Sequence, residues 1–180
     1  FFFNALNSIY SLAHKKSDLV PDAIVTLSEL MRYMLYETDN KSVFLEKEIN
    51  YIQNYIELQK LRLNNIENIT INIHGDTKNK YIEPLLLISF IENAFKYGVN
   101  PDQTSEIYIK IDIEEEILTL YVSNKKTFSV QSDSGIGLQN TIERLNLIFG
   151  KNYNLDIQDN KNTYIVDLKL QLKRFANERS

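Results

Sequence analysis

The 180-residue chain contains no cysteine. Disulfides, thiolate metal sites and cysteine nucleophiles are therefore excluded, and a reducing cytoplasm is the default compartment. No apolar run approaches the ~18 residues that spanning a bilayer requires, and no charged leader stands before an apolar start as in a signal peptide. Positive charge is not in excess: 20 Lys and Arg against 24 Asp and Glu give a formal net charge of -4. A broad basic surface for nucleic acid or an anionic membrane is thus not expected. Glycine is scarce, at five residues, so two of them placed close together carry weight. There is no internal repeat and no low-complexity tract.

What is present suits a soluble globular protein. Hydrophobic residues make up 43% and charged residues 24%, enough for a core in one domain plus an accessory piece, or in two small packed units. The opening Phe1-Phe2-Phe3 reads as the cut end of something longer.

The first third has helical spacing. Phe2, Leu6, Ile9 and Ala13 fall on one face. A break at Lys15–Ser17 is followed by Asp18 as an expected N-cap and Pro21 in the first turn. Val20, Ile24, Leu27, Met31 and Met34 then repeat as the seam of a bundle. Two such helices form an antiparallel hairpin that a second copy would cover, giving a four-helix dimer. A third helix is expected from Leu45 to about Asn64, with Leu45, Ile49, Ile52 and Ile56 on one stripe.

Ile69, Ile71 and Ile73 switch to alternation and read as a half-buried strand closed by Gly75-Asp76. Pro84 opens a helix that runs to Gly98. Ile107 to Ile113 and Leu118 to Val122 form two strands around the acidic turn Glu114–Glu116. Asn124 to Ser134 is polar and aperiodic, a loop. A helix spans Ile136 to Phe149, and two last strands hold Leu155 and Ile157, then Val166 to Leu172. The expected fold is α+β: a helical hairpin, then a mostly antiparallel sheet with helices on one face. The expected divisions are 1–40 for the dimerisation helices, 41–68 for a connecting helix and 69–175 for the α/β sandwich.

Two segments carry chemistry. In Ile91-Glu92-Asn93-Ala94-Phe95-Lys96-Tyr97-Gly98, residues Asn93, Lys96 and Tyr97 share a polar helix edge, with Glu92 one i,i+4 step from Lys96. An asparagine carbonyl can ligate Mg2+, which takes its other oxygens from water and substrate phosphates. The plain alternative is a solvated edge with a Glu92–Lys96 pair of small energetic value. In Ser134-Gly135-Ile136-Gly137-Leu138, a helix start follows a polar loop. Glycines there let backbone amides approach phosphate, and the helix terminus adds partial positive charge.

The first segment resembles the N box of the GHKL ATPases, and Gly135–Leu138 resembles their glycine box. Asn140, Arg144 and Leu145 continue the variant found in LytS/YehU-type sensor histidine kinases. Phe1-Phe2-Phe3-Asn4-Ala5-Leu6-Asn7 is similar to the segment that follows the phosphoacceptor histidine in that family, and the helix from Tyr51 to Arg62 also matches. The resemblance implies a Bergerat-type ATP-binding fold under a flexible lid at 125–134. It implies a homodimer in the full-length protein, membrane attachment through a preceding region, and relay from histidine to a response regulator, often one with a LytTR domain. Glu92, Asn93, Lys96, Tyr97, Asn124, Gly135, Gly137 and Leu138 would form the ATP site, with Asn93 holding Mg2+.

Three positions depart from the family. The acceptor histidine would stand directly before Phe1, so this chain is not expected to autophosphorylate by the usual route; His14 and His74 read as ordinary surface or strand residues. The Asp-x-Gly box is replaced by Val122-Ser123-Asn124-Lys125-Lys126, with Asn124 where the adenine-binding aspartate is expected. Ser89 stands one turn before Asn93. Beside the kinase reading stand two others: a non-catalytic dimerisation and signalling scaffold, motivated by Asn124, and a mismatch-repair or topoisomerase-type ATPase. The latter is disfavoured because it needs a glutamate at position 89.

Overall fold

The computed structural model describes residues 1–61, 63, 68–99, 105–127 and 135–174. Five helices are α1 (Phe2–His14), α2 (Val20–Tyr36), α3 (Leu45–Lys60), α4 (Ile88–Gly98) and α5 (Gly135–Phe149). Eight strands are β1 (Val43–Phe44), β2 (Ile69–Gly75), β3 (Lys80–Ile82), β4 (Ile107–Glu114), β5 (Ile117–Lys125), β6 (Tyr153–Asp159), β7 (Thr163–Gln171) and β8 (Lys173–Arg174). The main sheet has the order β2-β4-β5-β7-β6, and β1-β3-β8 form a small second sheet. All pairings are antiparallel except β2 with β4. The α+β expectation therefore holds.

Alternation sets the faces of the sheet, because successive strand side chains point to opposite sides. Ile107, Ile109, Ile111 and Ile113 are buried, as are Leu118, Leu120 and Val122 across from them and Val166, Leu168 and Leu170 on β7. Phe90, Ile91, Ala94 and Phe95 of α4 and Leu145 of α5 join the same core. The opposite face carries Tyr108 and Tyr121, whose rings meet edge to face at 6.0 Å, and the Lys110–Asp112 ion pair.

The helical third is joined to this core rather than hung from it. Ala5 and Ile9 of α1 pack with Ala23, Leu27, Leu30 and Tyr33 of α2 and with a heavily buried α3. The stripe Leu45, Ile49, Ile52 and Ile56 is buried as expected. The expected seam of α2 divides: Leu27 faces inward, while Ile24, Met31 and Met34 are exposed. Leu6 of α1 is likewise exposed, and Ala5 takes its place in the core.

Several boundaries differ from expectation for local reasons. Asp18 does not cap α2; Leu19 occupies the cap position, and the Leu19 amide donates to Ser17 Oγ at 3.3 Å. Helix α3 ends at Lys60, and residues 62 and 64 of its expected end lie outside the described residues. Helix α4 begins at Ile88, not Pro84, because residues 84–87 form a turn with Leu85 at φ 57°. Asn124 and Lys125 belong to β5 instead of a loop, since they pair with Tyr164 and Thr163 of β7. Among the described residues, no helix is long and apolar enough to cross a membrane.

Candidate functional site

The C-terminal end of α4 and the last residues of β5 close on each other. Asn124 lies on the helix-facing side of β5 and is buried, at 2% exposure. A Cβ placed on Gly98 would sit 2.8 Å from Asn124 Cβ, so only glycine allows this approach without displacement. Past the strand, the Thr127 amide and Thr127 Oγ1 each donate to the Tyr97 carbonyl at 3.0 Å.

Two polar atoms in this corner are buried without a partner: Asn124 Oδ1 and Tyr97 Oη. The Asn124 Nδ2 is used, donating to the Lys125 carbonyl at 3.3 Å. Leaving a buried polar group unpaired costs about 1–3 kcal/mol, so each is a place where a ligand's polar atom would be stabilising. Asn124 Oδ1 can only accept; the phenol can donate or accept. Burial, with the charge of Asp159 nearby, also pushes the Tyr164 hydroxyl above its ordinary range.

Around this corner, Asn93 is half-buried on α4, whereas Lys96 is exposed and places Nζ 5.1 Å from the Tyr97 ring centroid rather than on Glu92. Gly137 lies exposed in the first turn of α5, with nothing within 4 Å of a Cβ built on it. Its carbonyl accepts from Thr141 Oγ1 at 3.0 Å. Gly135 is the first residue of α5, and Leu138 packs half-buried against the core. Helices α4 and α5 are neighbours on one side of the sheet, so the two sequence segments share a face. Of the expected lid, residues 128–134 lie outside the described residues.

Glu92 turns elsewhere. It lines a cavity of about 360 Å3 with Phe1, Tyr51, Ser89 and Arg144 among others. Burial raises its carboxyl above the usual range. A larger cleft of about 630 Å3 opens at the end of the main sheet, lined by Thr70, Glu106, Tyr108, Ser123, Asn124 and Asn162 among others. Thr70, Tyr108 and Ser123 are register partners on the helix-free face, and the cleft reaches the helix-facing side at the paired residues Ile107 and Asn124. Lys125–Glu106 and Lys126–Asp159 ion pairs flank it.

Sequence reasoning missed Glu48, which is completely buried on α3. Its Oε2 accepts from Tyr33 Oη at 2.6 Å and from the Leu85 amide at 2.9 Å, and its Oε1 from the Leu87 amide at 3.3 Å. Burial dominates its titration and raises it, while Tyr33, the two amides and the Arg144 charge pull it down. Its only signal in the sequence is a charged residue beside the apolar stripe of α3. Among the described residues, no cluster of three or more His, Asp or Glu side chains could hold a metal.

Comparison with known proteins agrees with the resemblance. The family model described as "Histidine kinase" matches residues 1–69. Sensor protein LytS of Staphylococcus saprophyticus is 29% identical over 92% of this chain and 31% of its own length. Sensor protein LytS of Staphylococcus epidermidis is 24% identical over 99% of this chain and 33% of its own. The sensor histidine kinase/phosphatase LytS of Staphylococcus aureus strain MRSA252 is 27% identical over 88% and 30%. The chain thus spans about a third of the curated relatives it matches. Among solved structures, the histidine kinase domain of the Erythrobacter litoralis EL346 blue-light activated histidine kinase aligns with a TM-score of 0.49 at 12% identity, covering 93% of this chain and 95% of that one. Along most of its length, then, this chain is similar to the kinase-bearing third of the LytS sensor histidine kinases.

Proposed function

We propose that the chain is the ATP-binding kinase module of a two-component sensor histidine kinase, using ATP and Mg2+. The observation that carries the reading is the pair of unpartnered buried atoms, Asn124 Oδ1 and Tyr97 Oη, where the Asn93-bearing helix meets β5. An acceptor-only oxygen facing a closed corner suits the exocyclic amino group of adenine. Asn124 replaces the family's aspartate, so it offers this hydrogen bond without a charge.

In this reading Tyr97 and Asn124 face the base, and Asn93 on the same helix supplies an amide oxygen to Mg2+. Lys96 meets phosphate charge, and Gly135, Gly137 and Leu138 border the phosphates at the start of α5. Glu92 stands beside Asn93 on the cavity side. The bound nucleotide supplies a transferable γ-phosphoryl group, with charge that Mg2+ neutralises. The acceptor is a histidine that the resemblance puts directly before Phe1, and the phosphoryl group passes on to a response regulator, of LytTR type in this reading. The exposed Ile24, Met31 and Met34 of α2 would be covered by a second copy in the full-length protein, which membrane segments outside this chain would anchor.

A scaffold that dimerises and signals without turnover is the second reading, favoured by Asn124 in place of the aspartate. The deciding experiment supplies labelled ATP with Mg2+ to the protein extended with its native upstream residues. Acid-labile, base-stable label on the protein supports the kinase. Absence of both label and binding at millimolar ATP supports the scaffold.

A further inference from the structure

We infer that Glu48 is a positioning residue that ties helix α2 to the start of α4 and so sets where Asn93 stands. The inference rests on the nucleotide reading above for its functional consequence, though not for the link itself. A carboxylate with no exposure is retained only when donors surround it, and Glu48 has three, from two different parts of the fold. Tyr33 Oη comes from α2, and the Leu85 and Leu87 amides come from the turn that leads directly into α4. Amides ahead of a helix have no intrahelical acceptor. Here the acceptor is a side chain from α3, 37 and 39 residues earlier.

The turn is held in a conformation it would not choose alone. Leu85 lies at φ 57°, a region unfavourable for a side chain with a Cβ and kept only when the surroundings impose it. Arg144 of α5 grips the same turn as well. Its Nη2 donates to Glu83 Oε1 at 2.8 Å and to the Pro84 carbonyl at 2.9 Å, and its Nε to Glu83 Oε1 at 3.2 Å. Residues 83–87 are thereby held by both a carboxylate of α3 and a guanidinium of α5, the helix that starts at the two-glycine segment. Tyr33 is buried, while its neighbours Met31 and Met34 are exposed on the outer side of α2. A shift of α2 therefore acts first on the Tyr33–Glu48 hydrogen bond and, through it, on the entry to α4.

The test uses Tyr33→Phe, which deletes one donor and keeps the ring stacked 4.7 Å from Tyr51, and Glu48→Gln, which keeps the shape. Two quantities are read: site-resolved amide hydrogen exchange and Mg-ATP affinity by calorimetry. Expected is a rise in exchange of about five- to tenfold at residues 85–91 in Tyr33→Phe, with β5 and β7 amides unchanged, and a fall in Mg-ATP affinity of similar size. Leu170→Ala in β7 is the control for general destabilisation, and it should loosen the sheet without this local signature. Exchange that rises equally in β5 and at 85–91, or a local rise with unchanged affinity, overturns the positioning role. Should Glu48→Gln not fold, Tyr33→Phe alone decides. If the parent chain binds no Mg-ATP, the nucleotide reading fails, and the exchange pattern still upholds or removes the link.

Discussion

Gly98 and Asn124 face each other across the α4–β5 junction so closely that a Cβ on residue 98 would fall 2.8 Å from Asn124 Cβ and 3.1 Å from its Nδ2. Alanine at a helix position ordinarily favours the helix over glycine. Here the sign reverses. Gly98→Ala is expected to destabilise by about 1–3 kcal/mol through overpacking and to displace Asn124. Urea denaturation checks the first effect and nucleotide titration the second; an unchanged or raised midpoint would contradict the packing argument.

Asn124→Ala separates stability from binding. Its Oδ1 has no partner to lose, and its Nδ2 makes one hydrogen bond, to the Lys125 carbonyl. The stability loss should stay near about 1 kcal/mol, while Mg-ATP affinity falls by about tenfold or more. Calorimetry on a variant whose thermal midpoint has been checked distinguishes the two. Full retention of affinity would remove Asn124 from the base contact.

Arg144 serves as a fork. It reaches Glu83 through two nitrogens and Pro84 O through one of them, a geometry that a lysine ammonium does not reproduce. Arg144→Lys is therefore expected to lose stability almost as Arg144→Ala does, by about 1–2 kcal/mol, the pair being partly exposed. Complete rescue by lysine in a chemical denaturation series would show that charge alone suffices.

Glu48 gives the pH dependence a definite sign. Its carboxyl titrates above the ordinary 4.5 because of burial, so the folded chain holds this proton more tightly than the unfolded chain. The resulting stabilisation is fully present below pH 4.5 and is lost as pH rises through the raised folded value. Glu92, also raised by burial, adds a slope of the same sign. Glu48→Gln should flatten the decline in unfolding free energy that sets in above pH 4.5, leaving the part due to Glu92. A slope identical to that of the parent would exclude Glu48 as its source.

In the proposed reading, a second copy of the full-length protein covers the outer face of α2. Ile24 and Met31 are about half exposed, at 52% and 48%, on the stripe that a second helical hairpin would cover. Met31→Glu should lower the dimer fraction in sedimentation experiments without changing the thermal midpoint of the monomer. An unchanged dimer fraction would place the contact elsewhere.

Much of the fold was legible because its long elements repeat cleanly. The isoleucines of β4 alternate over eight residues and α3 buries one regular stripe. Strands of two or three residues, such as β1, β3 and β8, are too short to show any period. On α2 two apolar stripes compete, and spacing alone does not say which one faces inward; packing against α1 and α3 selects Ala23, Leu27, Leu30 and Tyr33. The beginning of α4 was misplaced at Pro84 because the acceptor for the preceding amides is Glu48, far away in sequence. At the candidate site the residue types of α4 and α5 were readable, whereas the buried state of Asn124 needed the register of β5 against β7.

The small sheet has a mechanical consequence. Tyr81 of β3 pairs with Phe44 on one side and with Lys173 on the other, so the segment leaving the helical hairpin and the far end of the chain are stitched to a common strand. The stretch after Val43 is consequently no free tether. A swing of the hairpin against the main sheet must either unzip backbone pairing there or bend at residues 37–42, which lie before the stitch begins.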